Sequence, residues 1–114
     1  MSIESIQRKL QEFADDRDWE QFHSPKNLVM ALSVEVSELV EHFQWLTQEQ
    51  SKNLTNEKID KVEQELGDIF IYLMRIADKL NINLVDAAFD KIDINEKKYP
   101  VEKAKGIAKK YNEL

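Results

Sequence analysis

A chain of 114 residues and 13.4 kDa, 42% of it hydrophobic, has the size of one compact domain with a buried core, which excludes intrinsic disorder and a second core of ordinary size. Zero cysteines exclude a disulfide framework, a thiolate nucleophile and sulfur-ligated zinc, so a metal has to be held by oxygen or by His23 or His42. The net charge of −6 argues against duplex nucleic acid as a partner, and no apolar run approaches the roughly 20 residues that cross a bilayer.

Glu4 interrupts the N-terminal residues where a signal peptide would be apolar, so the expected compartment is the cytoplasm. Two Gly and two Pro supply too few turn signals for a small β-sandwich or barrel, and helices are expected throughout. Ile3, Ile6, Leu10 and Phe13 recur at steps of three and four and predict a first amphipathic helix over 2–16, followed by an acidic turn over 15–20. Ser24 and Pro25 read as an N-cap with proline at the first helical position, and Leu28, Leu32, Leu39, Phe43 and Leu46 carry a second helix to about Trp45 or Leu46. The polar stretch 47–55 reads as a connection, ended by Thr55 capping a third helix. There Ile59, Val62, Leu66, Ile69, Leu73, Ile76 and Leu80 predict a long buried seam. Asn83, with Asp86 three positions on, caps a fourth helix carrying Val85, Ala88, Phe89 and Ile92, which Pro100 ends or bends. The chain therefore reads as all-α, a single domain over 1–114 built as a small four-helix bundle with a C-terminal extension.

Charged residues on such helices belong opposite the apolar stripe, so acids beside it call for a reason. Glu65 and Asp68 lie three apart, each one position before a seam residue, and Tyr72 extends their row. Glu35 and Glu38 repeat the spacing on the second helix, and steps of four and three from Glu38 reach His42 and Trp45. The 26 residues between the pairs (39–64) allow them to face each other across two antiparallel helices. Four facing carboxylates repel one another at low dielectric, and a hard divalent cation satisfies them; an all-oxygen set suits magnesium or manganese. Gly67, costly inside a helix, points to close approach of a ligand or another helix. A di-iron centre wants Glu-x-x-His on two helices, and the single match, Glu20 and His23, falls in a turn. Seven lysines against four acids over 91–114 leave that segment at +3 and the rest of the chain at −9, which reads either as a solvated tail or as anion contacts facing an acidic metal site.

Glu35-x-x-Glu38 followed by Glu65-x-x-Asp68 resembles the metal motif of the MazG-like all-α nucleoside triphosphate pyrophosphohydrolases. Trp19, Glu20, Gln21, Phe22 and His23, then Phe43, Gln44 and Trp45, then Asp93, Ile94 and Asn95 with Tyr99 and Pro100, and finally Lys110 and Tyr111, are similar to the dCTP pyrophosphatase branch of that family, over nearly the whole chain. The resemblance implies a MazG-like four-helix bundle and a magnesium-dependent enzyme, with Mn2+ as the other metal that suits the site. Its reaction would cleave a nucleoside triphosphate, dCTP or a related or modified pyrimidine deoxynucleotide, to the monophosphate and pyrophosphate in housecleaning of the nucleotide pool. Carried over by position, Glu35, Glu38, Glu65 and Asp68 bind the metal, and Trp19, Glu20, Gln21, Phe22, His23, Trp45 and Tyr72 contact the nucleotide. Lys91, Asn95 and Lys98 reach the triphosphate. Where Leu10 stands, relatives in this branch can carry a histidine that touches the nucleotide, which leaves the base preference open. The resemblance also implies a homo-oligomer, a dimer or dimer of dimers. Outside it stand two other readings, a non-catalytic module that binds magnesium and nucleotide, and a helical adaptor whose acids are a solvated face.

Overall fold

The computed structural model describes residues 1–114. It contains six α-helices, two short 3-10 turns and no strand: α1 (Ile3–Asp16), a 3-10 turn (Glu20–Phe22), α2 (Pro25–Glu41), α3 (Gln48–Ser51), α4 (Asn56–Lys79), α5 (Leu84–Lys98), α6 (Val101–Ala104) and a 3-10 turn (Tyr111–Glu113). No helix is long and apolar enough to cross a membrane. The chain divides into two compact units, Met1–Asn81 and Ile82–Leu114.

The first unit follows its caps. Ser2 and Ser5 form a capping box at the start of α1, and the Ser24 hydroxyl accepts from the Asn27 amide with Pro25 at the first position of α2. Thr55 caps α4 by accepting from the Lys58 amide. α1 ends in a Schellman arrangement, in which Trp19 N–H donates to Ala14 O at 2.9 Å and Asp18 N–H to Asp15 O at 3.1 Å. Asp18 holds the left-handed position (φ 54°) that glycine usually fills, and its carboxylate and carbonyl accept from the Gln21 side chain at 3.1 and 2.9 Å. That turn folds Trp19–His23 back alongside α1.

Two expectations about the helices are corrected. α2 stops at Glu41 rather than running to Trp45, because His42 and Phe43 donate to the carbonyls three residues back and tighten the chain into turns. The stretch 47–55 contains a one-turn helix, α3, started by a capping box between Thr47 and Gln50.

α2 packs against α4, and α1 against the later part of α4. On α4 the partly or fully sheltered row is Val62, Glu65, Ile69, Tyr72, Arg75 and Ile76, while Ile59, Leu66, Leu73 and Leu80 of the expected seam remain exposed. The apolar stripe of α4 is wider than the face one neighbouring helix covers, and the covered part is the edge that carries the acid. Leu28, Met74, Ala14 and Ala77 are the buried apolar residues, with Ala14 taking the place expected of Phe13, which is exposed. A Cβ added at Gly67 meets nothing within 4 Å, so no close approach explains that glycine within the chain.

In the second unit, the Asn83 side chain accepts from the Asp86 amide to cap α5, and Tyr99 closes the helix ahead of Pro100, as expected for a residue before proline. The segment beyond Pro100 returns onto the end of α5. Tyr111 N–H donates to the Tyr99 hydroxyl at 3.2 Å, the two rings meet edge to face at 6.2 Å, and the Lys98 ammonium lies 4.6 Å from the Tyr111 ring centre.

Candidate active site

Glu35 and Glu38 sit on the face of α2 turned toward α4, and Glu65 answers them from α4. Carboxylate oxygens of the three lie within 4.8 Å of one another. One oxygen of Glu35 and one of Glu65 are buried without a hydrogen-bond partner. Three half-sheltered carboxylates with two orphaned oxygens form a donor set that a hard divalent cation satisfies. Asp68 stands outside the tight set of three, yet it lines the same cavity as Glu35 and acts on it through its charge. The Glu35 carboxyl is pushed up to about 7, first by burial, then by hydrogen bonding and charge from Glu38, with smaller contributions from Asp68 and Glu65. His42, at the end of α2, lies beside the set, with Nε2 3.9 Å from a Glu65 oxygen and Nδ1 3.4 Å from the Lys58 ammonium.

Next to the acids lies a cavity of about 360 Å³, lined by Lys9, Leu10, Phe13 and Ala14 of α1, Trp19 and His23 of the returning turn, Glu35, and Asp68, Ile71, Tyr72 and Arg75 of α4. Its walls are largely apolar. The Phe13 and Trp19 rings meet edge to face at 5.6 Å, and the Arg17 guanidinium stacks 3.6 Å over Phe13. The Tyr72 hydroxyl is raised above its ordinary value by burial and by the charges of Glu35 and Asp68, so it stays protonated and able to donate.

The expected nucleotide contacts separate into groups. Trp19, His23 and Tyr72 line the cavity; Glu20, Gln21 and Phe22 do not. Gln21 is occupied by the turn at Asp18, Phe22 is exposed, and Glu20 pairs with Arg75 at 2.9 Å and with Lys79. Trp45, beyond the end of α2, is 86% exposed and does not line the cavity. Lys91, Asn95 and Lys98 belong to the second unit, where steps of four and three put them on one face of α5.

Arg75 is the residue that reading the sequence missed. It is 3% exposed, the one buried charged side chain, and it donates to Gln11 at 3.0 Å and to Glu20 at 2.9 Å, with Nη2 also 3.3 Å from His23 Nδ1. A signal for it was present: the row Glu65, Asp68, Tyr72 reaches Arg75 with one further step of three.

A family model described as the MazG-like family matches residues 30–114. Human dCTP pyrophosphatase 1 is 41% identical, over 99% of this chain and 68% of the human protein, and the bovine protein of the same name is 42% identical over the same shares. Among solved structures, that of a pyrophosphatase from Archaeoglobus fulgidus superposes with a TM-score of 0.81 at 39% identity, covering 85% of this chain and 91% of that one.

Proposed function

The chain belongs to the MazG-like family, and on that premise we propose that it consumes one water to cleave the bridge between the α- and β-phosphates of a nucleoside triphosphate. The products are the monophosphate and pyrophosphate. The substrate is dCTP or a related or modified pyrimidine deoxynucleotide, and the role is housecleaning of the cytosolic nucleotide pool. The reading covers 1–114 as one domain, in keeping with a family match that runs across both compact units. The observation that carries it is the juxtaposition of three carboxylates within 4.8 Å, two of their oxygens orphaned, with an aromatic-walled cavity that Glu35 shares.

Glu35, Glu38 and Glu65 would hold magnesium, with Asp68 completing the set; manganese suits the same oxygens. When bound, the metal neutralises phosphate oxygens and activates a water. The residues of the chain do the rest. Trp19 and Phe13 give the cavity a wall on which a base packs, and the Tyr72 hydroxyl donates to an oxygen beside the acids.

Purified protein supplied with magnesium and a panel of triphosphates should release pyrophosphate and monophosphate in equal amounts, fastest from a pyrimidine deoxynucleotide. Release of single phosphate from every triphosphate would refute the reaction. Tight binding with no turnover would leave a non-catalytic nucleotide-binding module.

An exposed face of Ile59, Leu66, Phe70 and Leu73 on α4, with Val29, Val36 and Val40 on α2, supports self-association as a dimer or dimer of dimers. Trp45, exposed and outside the cavity of its own chain, would stack on the base from a partner chain of that assembly. Wild type and Trp45→Ala should both sediment at a multiple of the 13.4 kDa chain mass. The substitution should leave folding nearly unchanged and raise KM about tenfold, since stacking on an aromatic ring contributes roughly 1 to 3 kcal/mol per base. A single-chain mass refutes self-association, and an unchanged KM removes Trp45 from the site.

A further inference from the structure

Arg75 makes more bonds than an ion pair with Glu20 requires. Its guanidinium, 3% exposed, reaches α1 through Gln11, the returning turn through Glu20, and its own helix through Asp78 at 3.7 Å. It also places Nη2 3.3 Å from Nδ1 of His23. A guanidinium nitrogen only donates, so that contact is a hydrogen bond solely when Nδ1 is bare and accepting. The ring proton then sits on Nε2. Burial disfavours an imidazolium, and the positive charge of Arg75 adds to it, so the His23 ring is held below its ordinary pKa.

We infer that Arg75 is a positioning residue that keeps His23 neutral and in the Nε2–H tautomer, making His23 a reader of the base rather than a clamp for phosphate. The inference rests on the proposed hydrolysis of a nucleoside triphosphate and assigns one residue a part in its specificity. His23 lies in the cavity with Trp19, whose ring meets it edge to face at 6.3 Å. The other charged groups of that cavity are Lys9, Glu35 and Asp68, and Glu20 faces Arg75 from the turn. A neutral imidazole offers a triphosphate no charge, and its one donor matches an acceptor on a base. A base that presents an acceptor there, as N3 of cytosine does, satisfies that donor. The N3–H of uracil or thymine meets it donor to donor.

The test needs no nucleotide for its first arm. Long-range 15N–1H correlation spectra of the wild-type protein should show His23 neutral at pH 7, protonated on Nε2, and titrating below 6.5. His42, the other histidine, is distinguished by substitution. Arg75→Met, which removes the donor at similar volume, should raise the His23 midpoint and let Nδ1 protonate in part, and Arg75→Lys should restore the wild-type pattern. A proton on Nδ1, or a midpoint at or above 6.5 in the wild type, overturns the inference whether or not the Met variant folds. In the second arm, Arg75→Met and His23→Gln should each lower the preference for dCTP over dTTP by about fivefold or more. Inhibition by inorganic tripolyphosphate should be unchanged in both. Weakened tripolyphosphate inhibition with unchanged base preference overturns the inference. Absence of any turnover, with the spectra as expected, counts against the hydrolase reading and leaves the positioning of His23 standing.

Discussion

Glu65→Gln should reduce turnover by about a hundredfold or more while the metal-free protein melts no lower than wild type. The substitution keeps the shape of the side chain and removes one charge from a set whose oxygens lie within 4.8 Å of one another. One of the Glu65 oxygens is buried with no partner, so the wild-type fold bears both like-charge repulsion and an unsatisfied acceptor there. An amide relieves the first and supplies donors toward Glu35 and Glu38. The cost falls on function, because a cation that stabilises transition-state charge by several kcal/mol is lost, and each 1.36 kcal/mol is tenfold in rate. Magnesium should therefore raise the melting temperature of wild type and do so far less for the variant. Equal melting shifts with retained turnover would remove Glu65 from the site and weaken the assignment of its neighbours.

The Glu35 carboxyl should contribute stability to the metal-free protein that is lost as pH rises from about 4.5 to about 7, against the usual behaviour of a carboxylate in an ion pair and opposite to the depressed His23, whose contribution grows as pH approaches 6.5. In the folded state the Glu35 carboxyl is pushed up to about 7 from an ordinary 4.5. Folding therefore takes up a proton between those values, which favours the folded state at low pH and withdraws that support as pH passes 7. The expected result, in a chelating buffer, is that the melting temperature of wild type falls more, or rises less, from pH 5.5 to pH 8 than that of Glu35→Gln, in which the His23 contribution is still present. That contrast should shrink at pH 8 on adding magnesium, because binding requires the deprotonated carboxylate, and Glu35→Gln carries no titratable group there. A melting temperature that instead rises over this range and is indifferent to Glu35→Gln would show that the carboxyl is well solvated.

Much of this protein was legible before any coordinates. Caps at Ser24, Thr55 and Asn83 and the stop at Pro100 are local hydrogen-bonding and steric effects, settled by a few neighbouring residues, and the helices begin and end there accordingly. The three-residue spacing of Glu35 with Glu38 and of Glu65 with Asp68 likewise put each pair on one side of its helix. The end of α2 was not legible, because the apolar residues Phe43 and Leu46 continue the helical period while the backbone between them tightens into turns, a balance of fractions of a kcal/mol per residue.

Which side of a broad stripe becomes the interior was decided by tertiary structure. Leucines at 66, 73 and 80 satisfy the period as well as Val62, Ile69 and Ile76 do, but the packing of α2 and α1 on α4 shelters the latter row and leaves the former outside. That choice shelters Glu65 and Tyr72, and it buries Arg75, whose charge is tolerable only because Gln11, Glu20 and His23 arrive from α1 and the turn to accept hydrogen bonds from it. Periodicity along one helix carries no information about residues 52 to 64 positions away. The acids could thus be found from their own helices, whereas the donor network that orients His23 exists only once three separate segments are packed together.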